Sequence, residues 1–377
     1  MVRMLHIVGN IAPGGMGNFL MNIYRNLNRD EIQFDFIVMG VKPVNYHAEI
    51  EEMGGKVYQI PRISKHPIQY FHAIKRIVKE NQYKIVFRHT ANASVAIDLL
   101  AAKLGGATTR IPHAHSTTDP KSTAHRLFRP FLVKWSTERF ACSQNAGKWM
   151  YGDADFKVIK NGIDLQRFTY KEQIRQEKRA ELNLAEKHVY GHVGNFFYPK
   201  NHDFLIDIFQ KISIQDENTV LLLVGNGELR EEIEQKVRTK NLEDKVQFLG
   251  TRSDIPELMM AMDELIFPSV YEGLPITLVE AQATGLSCLI SDVITDEVTL
   301  TDLIHKESLP TVAFSKEMVS EDIIQQAAKR WAERAIDIVQ SQQHRITKAE
   351  ESILLVKQAG YTKQELVNIY SSISKNT

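Results

Sequence analysis

The sequence predicts an α/β protein with parallel β-sheets, because short apolar runs alternate along the chain with helical patterns. The runs are four to eight residues long and bounded by glycine-rich turns, as in Glu264–Phe267 and Val220–Val224, which is typical of strands buried on both faces. A chain of 377 residues is long for a single core, so two domains are expected. The 43% hydrophobic content is ordinary for a globular protein.

The first half predicts one Rossmann-like unit, which opens with a strand, a glycine loop and a helix. The strand is Val2–Gly9, and the loop contains Gly14 and Gly15 but lacks the dinucleotide pattern Gly-x-Gly-x-x-Gly. These glycines allow a bound group to approach the backbone, although a plain tight turn explains them equally well. The further strands are Phe34–Met39, Ile85–Phe87, Arg110–Pro112 and Arg139–Cys142, and the helices are Asn18–Leu27 and Pro67–Glu80.

The second half predicts a similar unit after the strand and Asn-Gly turn of Lys157–Asp164, where we place the domain boundary. The predicted domains are therefore 1–163 and 164–361. Asp254 is expected to cap its helix, and Ser287–Ser291 to close the sheet. The predicted strands are Val189–Val193, Val220–Val224, Val246–Gly250, Glu264–Phe267 and Ser287–Ser291, and the helices are Asn201–Lys211, Ile255–Met262, Ala327–Val339 and Gln364–Ile373.

The net charge of zero conceals an asymmetry between the two halves of the chain. Residues 1–160 hold 22 basic and 12 acidic side chains, and residues 161–377 hold 24 and 34. A basic half predicts an anionic partner. No nucleic-acid recognition module is visible, so nucleic acid is not expected. The basic and aromatic stretch Lys121–Trp135 fits the surface of an anionic membrane or a core-packed helix equally well.

Compartment and metal content follow from a few residues. The two cysteines, Cys142 and Cys288, lie in apolar surroundings without metal-ligand spacing, which predicts a reducing cytoplasmic setting. The short first strand is not a signal peptide, and no apolar run has the length of a membrane span. We therefore expect a cytoplasmic protein, with peripheral contact to the inner face of the membrane through the basic half.

The stretch Pro268–Gly285 carries the strongest functional signal. It follows a predicted buried strand and consists of a Gly- and Pro-rich turn and then a helix, with Pro275 in its first turn and Gly285 at its end. Free backbone amides of Gly273, Leu274 and Ile276 at a helix start form a site for phosphate oxygens. Glu272 and Glu280 flank that site and repel phosphate, but they accept hydrogen bonds from hydroxyls. The pattern predicts a grip on a nucleotide sugar.

Two further loops follow predicted strands, where ligands of parallel sheets bind. Lys200 precedes a helix start, so a cation and free amides meet at one point, as a diphosphate requires. His113 and His115 follow another strand; their alternation suggests opposite directions, with one residue structural and the other functional. Arg252 follows a third strand, and either contacts a ligand or faces solvent.

These motifs resemble, in order and over nearly the whole chain, the retaining glycosyltransferases of family 4. Glu272 and Glu280 match that family's Glu-x7-Glu motif, and the sequence Ser-x-x-Glu-Gly-Leu-Pro around Glu272 matches too. The resemblance implies the GT-B fold, with two Rossmann-like domains facing a central cleft and a last helix, 362–377, packing back on the first domain. The bacterial enzymes of exopolysaccharide and capsule synthesis are the nearest in pattern.

The resemblance also implies roles for individual residues. Lys200 holds the donor diphosphate, together with Gly273 and Leu274, while Gly194-Asn195 departs from the family's Gly-Arg, which weakens the phosphate grip. Glu280 accepts the ribose hydroxyls and Glu272 the sugar hydroxyls. His115, with His113 as the fallback, lies near the reacting sugar, Gly15 faces the diphosphate and acceptor, and Arg252 lies near the base.

The sequence therefore predicts a retaining glycosyltransferase that moves a sugar from a nucleotide sugar, expected to be a UDP-sugar, to a glycan or a lipid-pyrophosphate-linked acceptor. No cofactor is expected, and no metal, because no Asp-x-Asp motif stands in a suitable strand context. Two alternatives stay open: a UDP-sugar epimerase of the same architecture, and a non-catalytic nucleotide-sugar sensor or scaffold. The sequence leaves the transferred sugar, the acceptor and the oligomeric state undetermined.

Overall fold

The structure, a computed structural model, describes residues 1–12, 15–40, 46–90, 92–115, 123–310, 319–341 and 345–375. Gly14 and Lys121, which the sequence analysis names, lie outside these ranges. The chain divides into two compact units. The first unit consists of Met1–Ile163 with Tyr361–Thr377, and the second of Asp164–Gly360.

The first unit contains a seven-stranded parallel sheet with the order β3-β2-β1-β4-β5-β6-β7. Its central strands are apolar on both faces, as expected where helices cover both sides. The strands are β1 Val2–Ile7, β2 Ile32–Met39, β3 Val57–Ile60, β4 Ile85–Thr90, β5 Thr109–Ala114, β6 Phe140–Ala141 and β7 Lys157–Val158.

Alternate residues of these strands enter two different cores. Met4, Phe34 and Phe87 pack on one face with residues of the first and last helices, whereas Leu5 and Val86 pack on the other face. The last helix thus contributes its side chains to the core of the first unit. The helices are α1 Gly15–Asn26, α2 His47–Glu52, α3 Pro67–Glu80, α4 Ala96–Gly105, α5 Thr123–Trp135, α6 Gln144–Tyr151 and, at the end of the chain, α15 Lys363–Lys375.

The crossing segment before the second unit requires a glycine. Ile163 forms a parallel bridge with Thr362, and a Cβ on Gly162 would lie 2.3 Å from the carbonyl oxygen of Thr362. The Asn-Gly turn noted in the sequence is therefore the place where the returning C-terminal segment packs closely on the end of the first unit.

The second unit contains a six-stranded parallel sheet with the order β10-β9-β8-β11-β12-β13. The expectation that Ser287–Ser291 closes the sheet is wrong, because one further strand pairs beyond it. The strands are β8 His188–Val193, β9 Thr219–Val224, β10 Val246–Gly250, β11 Glu264–Phe267, β12 Ser287–Ser291 and β13 Ile304–Glu307.

Helices cover the second sheet as well, and Trp331 is the largest fully buried side chain of the core on one face. The helix of the Pro268–Gly285 stretch begins at Ile276, with Pro275 at its N-cap, and is followed by Gly285 at φ +66°. The helices are α7 Leu165–Phe168, α8 Glu172–Glu181, α9 His202–Gln215, α10 Arg230–Thr239, α11 Ile255–Ala261, α12 Ile276–Ala283, α13 Glu321–Ser341 and α14 Arg345–Gln358.

The two sheets share one topology. In each, the first strand lies in the middle, the next two strands add on one side of it, and the following strands add on the other side. The reversal falls between β1 and β4 in the first unit and between β8 and β11 in the second. In doubly wound sheets, ligands bind at this point, outside the carboxyl ends of the strands. We call these places the first and second switch points. The predicted α/β class with parallel sheets is confirmed.

Candidate active site

The loops at the second switch point are hydrogen-bonded to each other. The loop after β8 runs to Asn201 and the loop after β11 begins at Pro268. The Val270 N–H donates to the Pro199 carbonyl at 2.9 Å, and the Asn201 side-chain amide donates to the Pro268 carbonyl at 3.1 Å. These bonds fix the two sequence motifs against each other, although 67 or more positions separate them in the chain.

Lys200 is held at the centre of this arrangement. It ends the 3₁₀ turn Tyr198–Lys200, directly before α9, as the sequence predicts. Its Nζ lies 2.7 Å from Oε1 of Glu272 and 4.5 Å from the centre of the Phe267 ring. The two charged side chains are only 21% and 15% exposed. An ammonium group has three N–H donors, so the ion pair positions Lys200 and leaves donors for an anion.

The start of α12 offers backbone amides four residues after Glu272, the ion-pair partner of this lysine. Pro275 occupies the N-cap without a side-chain hydrogen bond to the first turn, so among the described residues no side chain caps these donors. Gly273 and Leu274 lie in the loop immediately before the helix, Leu274 being buried. Free amides at a helix start attract anions, since their dipoles add.

Glu280 lies in the second turn of α12 and is partly buried. Burial raises the pKa of its carboxyl group to about 8, and the positive charge of Arg167 opposes this shift. Within the described part of the chain, its carboxyl oxygens have no hydrogen-bond or ion-pair partner. A half-enclosed carboxyl group without a partner can accept hydrogen bonds from the hydroxyls of a ligand and, when protonated, can donate one to them.

The backbone at the turn after β8 is closely packed against the next loop. Gly225 adopts φ +139°, and a Cβ there would lie 2.2 Å from the carbonyl oxygen of Gly194. Asn195 is exposed, and its carbonyl accepts the Phe197 N–H at 2.7 Å. Gly225 is a residue of the candidate site that sequence reasoning missed, although the Gly-Asn-Gly turn after β9 indicated a close backbone approach.

Two buried histidines lie beneath Lys200 and were also missed. His192 donates a 2.9 Å hydrogen bond from Nδ1–H to the Ile266 carbonyl, while the ring nitrogens of His202 have no partner in the described residues. Burial, with a smaller contribution from the positive charge of Lys200, lowers the pKa of His192 to about 4 and that of His202 to about 2. Both rings are therefore uncharged, and Lys200 is not repelled from below.

Arg252 is engaged in a bidentate ion pair with Asp254, at 2.7 Å and 2.5 Å. Asp254 also accepts from Lys178 at 2.8 Å. The predicted cap is therefore wrong: Asp254 occupies the N-cap of α11, but its side chain makes no cap hydrogen bond because these cations hold its carboxylate. The side chain of Arg252 is 30% exposed, so part of it remains accessible to a ligand.

The first switch point carries a cluster of four histidines, which we call the histidine cluster: His6, His89, His113 and His115. Nδ1 of His6 lies 3.0 Å from Nε2 of His89, and Nδ1 of His89 lies 2.8 Å from Nε2 of His115. The His113 and His115 rings are 4.2 Å apart. Burial lowers the pKa of His6 to about 3 and that of His115 to about 4, so the rings are neutral.

The expectation that His113 and His115 point in opposite directions is wrong. Residues i and i+2 of a strand lie on the same face, and both rings accordingly pack beside Phe19 of α1. His113 is fully buried, whereas His115 is partly exposed. Only the second of the two can reach a ligand without rearrangement.

Gly15 is the first residue of α1, and nothing lies within 4 Å of a Cβ placed there. Its backbone is therefore open to an approaching group, as the sequence analysis expects of either a ligand loop or a turn. The structure thus brings Lys200 and Glu272 into direct contact, and places His115 and Gly15 in the other unit.

Comparison with solved structures identifies the fold. Anabaena HepE in complex with UDP and glucose matches all of this chain and all of its own, with a TM-score of 0.79 at 19% identity. WaaG, a glycosyltransferase involved in lipopolysaccharide biosynthesis, matches 97% of this chain and 99% of its own, with a TM-score of 0.69 at 16% identity. The fold is that of the GT-B glycosyltransferases.

Sequence comparison places the chain more narrowly. The model for "Glycosyl transferases group 1" matches residues 174–335, and that for "Glycosyltransferase Family 4" matches residues 13–167. The Bacillus subtilis protein named "Putative glycosyltransferase EpsF" is 35% identical over 78% of this chain and 80% of its own length. The chain belongs to glycosyltransferase family 4 and is a glycosyltransferase.

Two further relatives have informative names. The Escherichia coli UDP-Gal:alpha-D-GlcNAc-diphosphoundecaprenol alpha-1,3-galactosyltransferase is 29% identical over 59% of this chain and 61% of its own length. The Staphylococcus aureus capsular polysaccharide biosynthesis glycosyltransferase CapH is 22% identical over 99% of both. A search of the helices formed by the described residues finds none with the length and apolarity that crossing a bilayer needs.

Proposed function

We propose that this protein is a retaining, metal-independent glycosyltransferase that moves a sugar from a UDP-sugar to a glycan or lipid-pyrophosphate-linked acceptor in the synthesis of an exopolysaccharide or capsule. The observation that carries the proposal is the Lys200–Glu272 pair, 2.7 Å apart, at the second switch point. It combines a cation for the diphosphate with a carboxylate for the sugar. The names of the relatives, one with a UDP-galactose donor and one in capsule synthesis, support the donor and the pathway class.

The chemistry assigns charge to each group. The bond between the anomeric carbon and the diphosphate oxygen breaks with its electron pair going to UDP. Lys200 and the amides at the start of α12 stabilise that negative charge, which a divalent ion would otherwise do. Because Lys200 and these amides take the place of a divalent ion, we propose that no metal is needed. Glu272 binds sugar hydroxyls and Glu280 the ribose hydroxyls.

Retention follows if the acceptor hydroxyl attacks the face that UDP vacates. Its proton passes to the departing diphosphate oxygen, so the step needs no further acid or base. His115 is proposed to contact the reacting sugar, with His113 behind it as a structural residue. Asn195 contributes a neutral hydrogen bond where the family uses arginine, and we assign Gly15 and Arg252 to the donor site on the resemblance alone.

We also propose peripheral membrane contact through α5. Its Leu127 and Phe131 side chains are 65% and 42% exposed, and Arg126, Arg129 and Lys134 are exposed beside them. Exposed apolar and basic side chains on one helix favour an anionic lipid surface. A lipid-linked acceptor would be found at that surface.

The test is a calorimetric screen of nucleotide sugars, followed by transfer assays to an N-acetylglucosamine-diphospholipid with and without chelator. The expected result is binding of a UDP-sugar, and a product whose anomeric configuration, read by NMR, equals that of the donor in both arms. A product with inverted anomeric configuration would overturn the proposal of retention, and a strict need for added metal would overturn the proposal of metal independence. Conversion of the donor without acceptor would indicate an epimerase, and UDP binding without any turnover would indicate a sensor or scaffold.

A further inference from the structure

The histidine cluster has the composition of a metal site, and nothing in the proposed transfer reaction uses it as one. Among the described residues, His89, His113 and His115 form the one group of three or more histidine, cysteine and acidic side chains whose ligand atoms all lie within 4.8 Å of one another. Three imidazoles with one open position are a ligand set that proteins use for zinc.

The strand register explains why these three rings converge. His89 of β4 and His113 of β5 are direct partners in the parallel ladder. His115 follows two residues later on the same face, at the carboxyl edge of the sheet. The ring centre of His89 lies 5.5 Å from that of His113 and 5.1 Å from that of His115. The backbone therefore brings the three side chains close together before any ion binds.

His113 supplies an independent sign of an absent partner. Its side chain is fully buried, and neither ring nitrogen has a hydrogen-bond partner among the residues that the structure describes. A buried imidazole left without partners costs free energy, because it has one donor and one acceptor to satisfy. A metal ion bound to one ring nitrogen would remove part of that cost.

His6 supplies the orienting contact that metal-binding histidines usually have. If neutral His89 carries its proton on Nε2, it donates to Nδ1 of His6 at 3.0 Å and leaves the Nδ1 lone pair facing His115. His115 with its proton on Nδ1 likewise presents Nε2. His6 is held in place by stacking on Phe87, with ring centres 4.9 Å apart and planes inclined by 5°.

The distances require only a small adjustment. Four-coordinate zinc at its usual bond lengths places ligand nitrogens about 3.3 Å apart. Nδ1 of His89 and Nε2 of His115 are 2.8 Å apart and must separate slightly, whereas His113 must move closer. Phe19 lies edge-on to both His113 and His115 and gives the site an apolar wall.

We propose that the first switch point binds one transition-metal ion, of the Zn²⁺ class, through His89, His113 and His115, with His6 as the orienting residue behind His89. Imidazole ligands favour Zn²⁺, Co²⁺ and Ni²⁺ over Mg²⁺ and Ca²⁺. The ion is not a cofactor of the proposed transfer. The ion occupies Nε2 of His115, the residue proposed to contact the reacting sugar, so Zn²⁺ is expected to inhibit the enzyme.

The binding experiment uses the full-length, tag-free protein after treatment with chelator. Zn²⁺ is titrated in competition with a chromogenic chelator, and Co²⁺ binding is followed by visible absorption. One equivalent of Zn²⁺ should bind to the wild type. The Co²⁺ form should show the intense visible bands of four-coordinate cobalt, a measurement that needs no variant. Weak six-coordinate bands or less than one equivalent would overturn the proposal.

Variants assign the ligands. H113Q should weaken Zn²⁺ binding at least about 100-fold, and H6F about 10–100-fold, the usual effect of losing an orienting contact. The matched control is H72Q, an exposed histidine of α3 in the same unit, which should bind as the wild type. Unchanged affinity in H113Q would overturn the assignment, and the wild-type cobalt spectrum decides the matter if H113Q does not fold.

The inhibition rests on the proposed function and is tested separately. Transfer by the wild type should fall as Zn²⁺ reaches one equivalent and return with chelator, while Mg²⁺ has no effect. Tight binding without inhibition would leave the metal site standing and remove His115 from the reaction. Absence of transfer under all conditions would concern the proposed function alone.

Discussion

The two switch points share one sheet topology and differ in chemistry. At the first, four neutral histidines stack among phenylalanines, with the pKa values lowered by burial. At the second, a lysine and a carboxylate form an ion pair beside an uncapped helix start. The strand order is the same in both sheets as far as the sixth strand.

The difference shows that the fold determines where a site lies, and the side chains determine what it binds. A charged pair with free N–H donors suits a diphosphate, whereas imidazole nitrogens suit a polarised hydroxyl or a transition-metal ion such as Zn²⁺. The first three of the following changes affect the second switch point and can break or sharpen the comparison, whereas the fourth lies away from both switch points.

The largest effect is expected from K200A. Loss of a preorganised donor to a developing negative charge typically lowers kcat by about 10²–10³-fold, and this variant also leaves Glu272 without its cation. Steady-state transfer kinetics measure the change. K329A, an exposed lysine of α13 in the same unit, is the matched control and should keep wild-type turnover. Near wild-type turnover in K200A would remove Lys200 from the mechanism.

The next effect is expected from G225A. The new Cβ would lie 2.2 Å from the Gly194 carbonyl at a φ of +139°, so the turn leading to Lys200 must shift. We expect a stability loss of about 1–3 kcal/mol and weaker UDP binding. G106A in the first unit has φ +103° but open space around its Cβ, so it should lose stability without losing UDP affinity. Equal UDP affinity in both variants would show that the turn is not part of the site.

A smaller effect concerns pH. In the folded protein Glu280 keeps its proton up to its raised pKa of about 8, whereas the unfolded chain releases it near 4.5. The folded state therefore binds more protons over this window, and stability falls as pH rises through it. The Tm of the wild type should fall more between pH 6 and pH 9 than the Tm of E280Q, because the glutamine at position 280 cannot ionise. Parallel pH dependence in the two proteins would contradict the raised pKa.

The smallest effect is expected at α5, away from both switch points. The double variant L127S/F131S should lower sedimentation with anionic vesicles a few-fold and leave stability nearly unchanged, because both side chains are already exposed. I323S, an exposed apolar residue of α13, is the control. Equal sedimentation of the wild type with anionic and neutral vesicles would argue against membrane contact.

Much of the fold follows from the sequence because the central strands are continuous apolar runs. Glu264–Phe267 is predicted and found with the same limits, and so is the helix Pro67–Glu80. Edge elements were missed for a physical reason. Strand β13, Ile304–Glu307, is short and polar, since an edge strand covered on fewer sides needs no apolar run.

The two candidate sites differed in how well the sequence revealed them. Lys200 and Glu272 each lie in a recognisable local motif, so both were predicted, although their ion pair was not. His6 and His89 lie inside strands and carry no local signal. Their meeting depends on β1 pairing with β4 across more than 80 positions, and such long-range pairing is not written in any one segment.

The central claim is that the second switch point binds the donor through its diphosphate, with Lys200 as the cation. Calorimetric titration of UDP and of uridine into the wild type and K200A tests it most directly, because the two ligands differ only in the diphosphate. We predict that the wild type binds UDP at least about 30-fold more tightly than uridine, about 2 kcal/mol, and that K200A removes most of this difference. Equal affinity of the wild type for the two ligands, or an unchanged difference in K200A, would contradict the account.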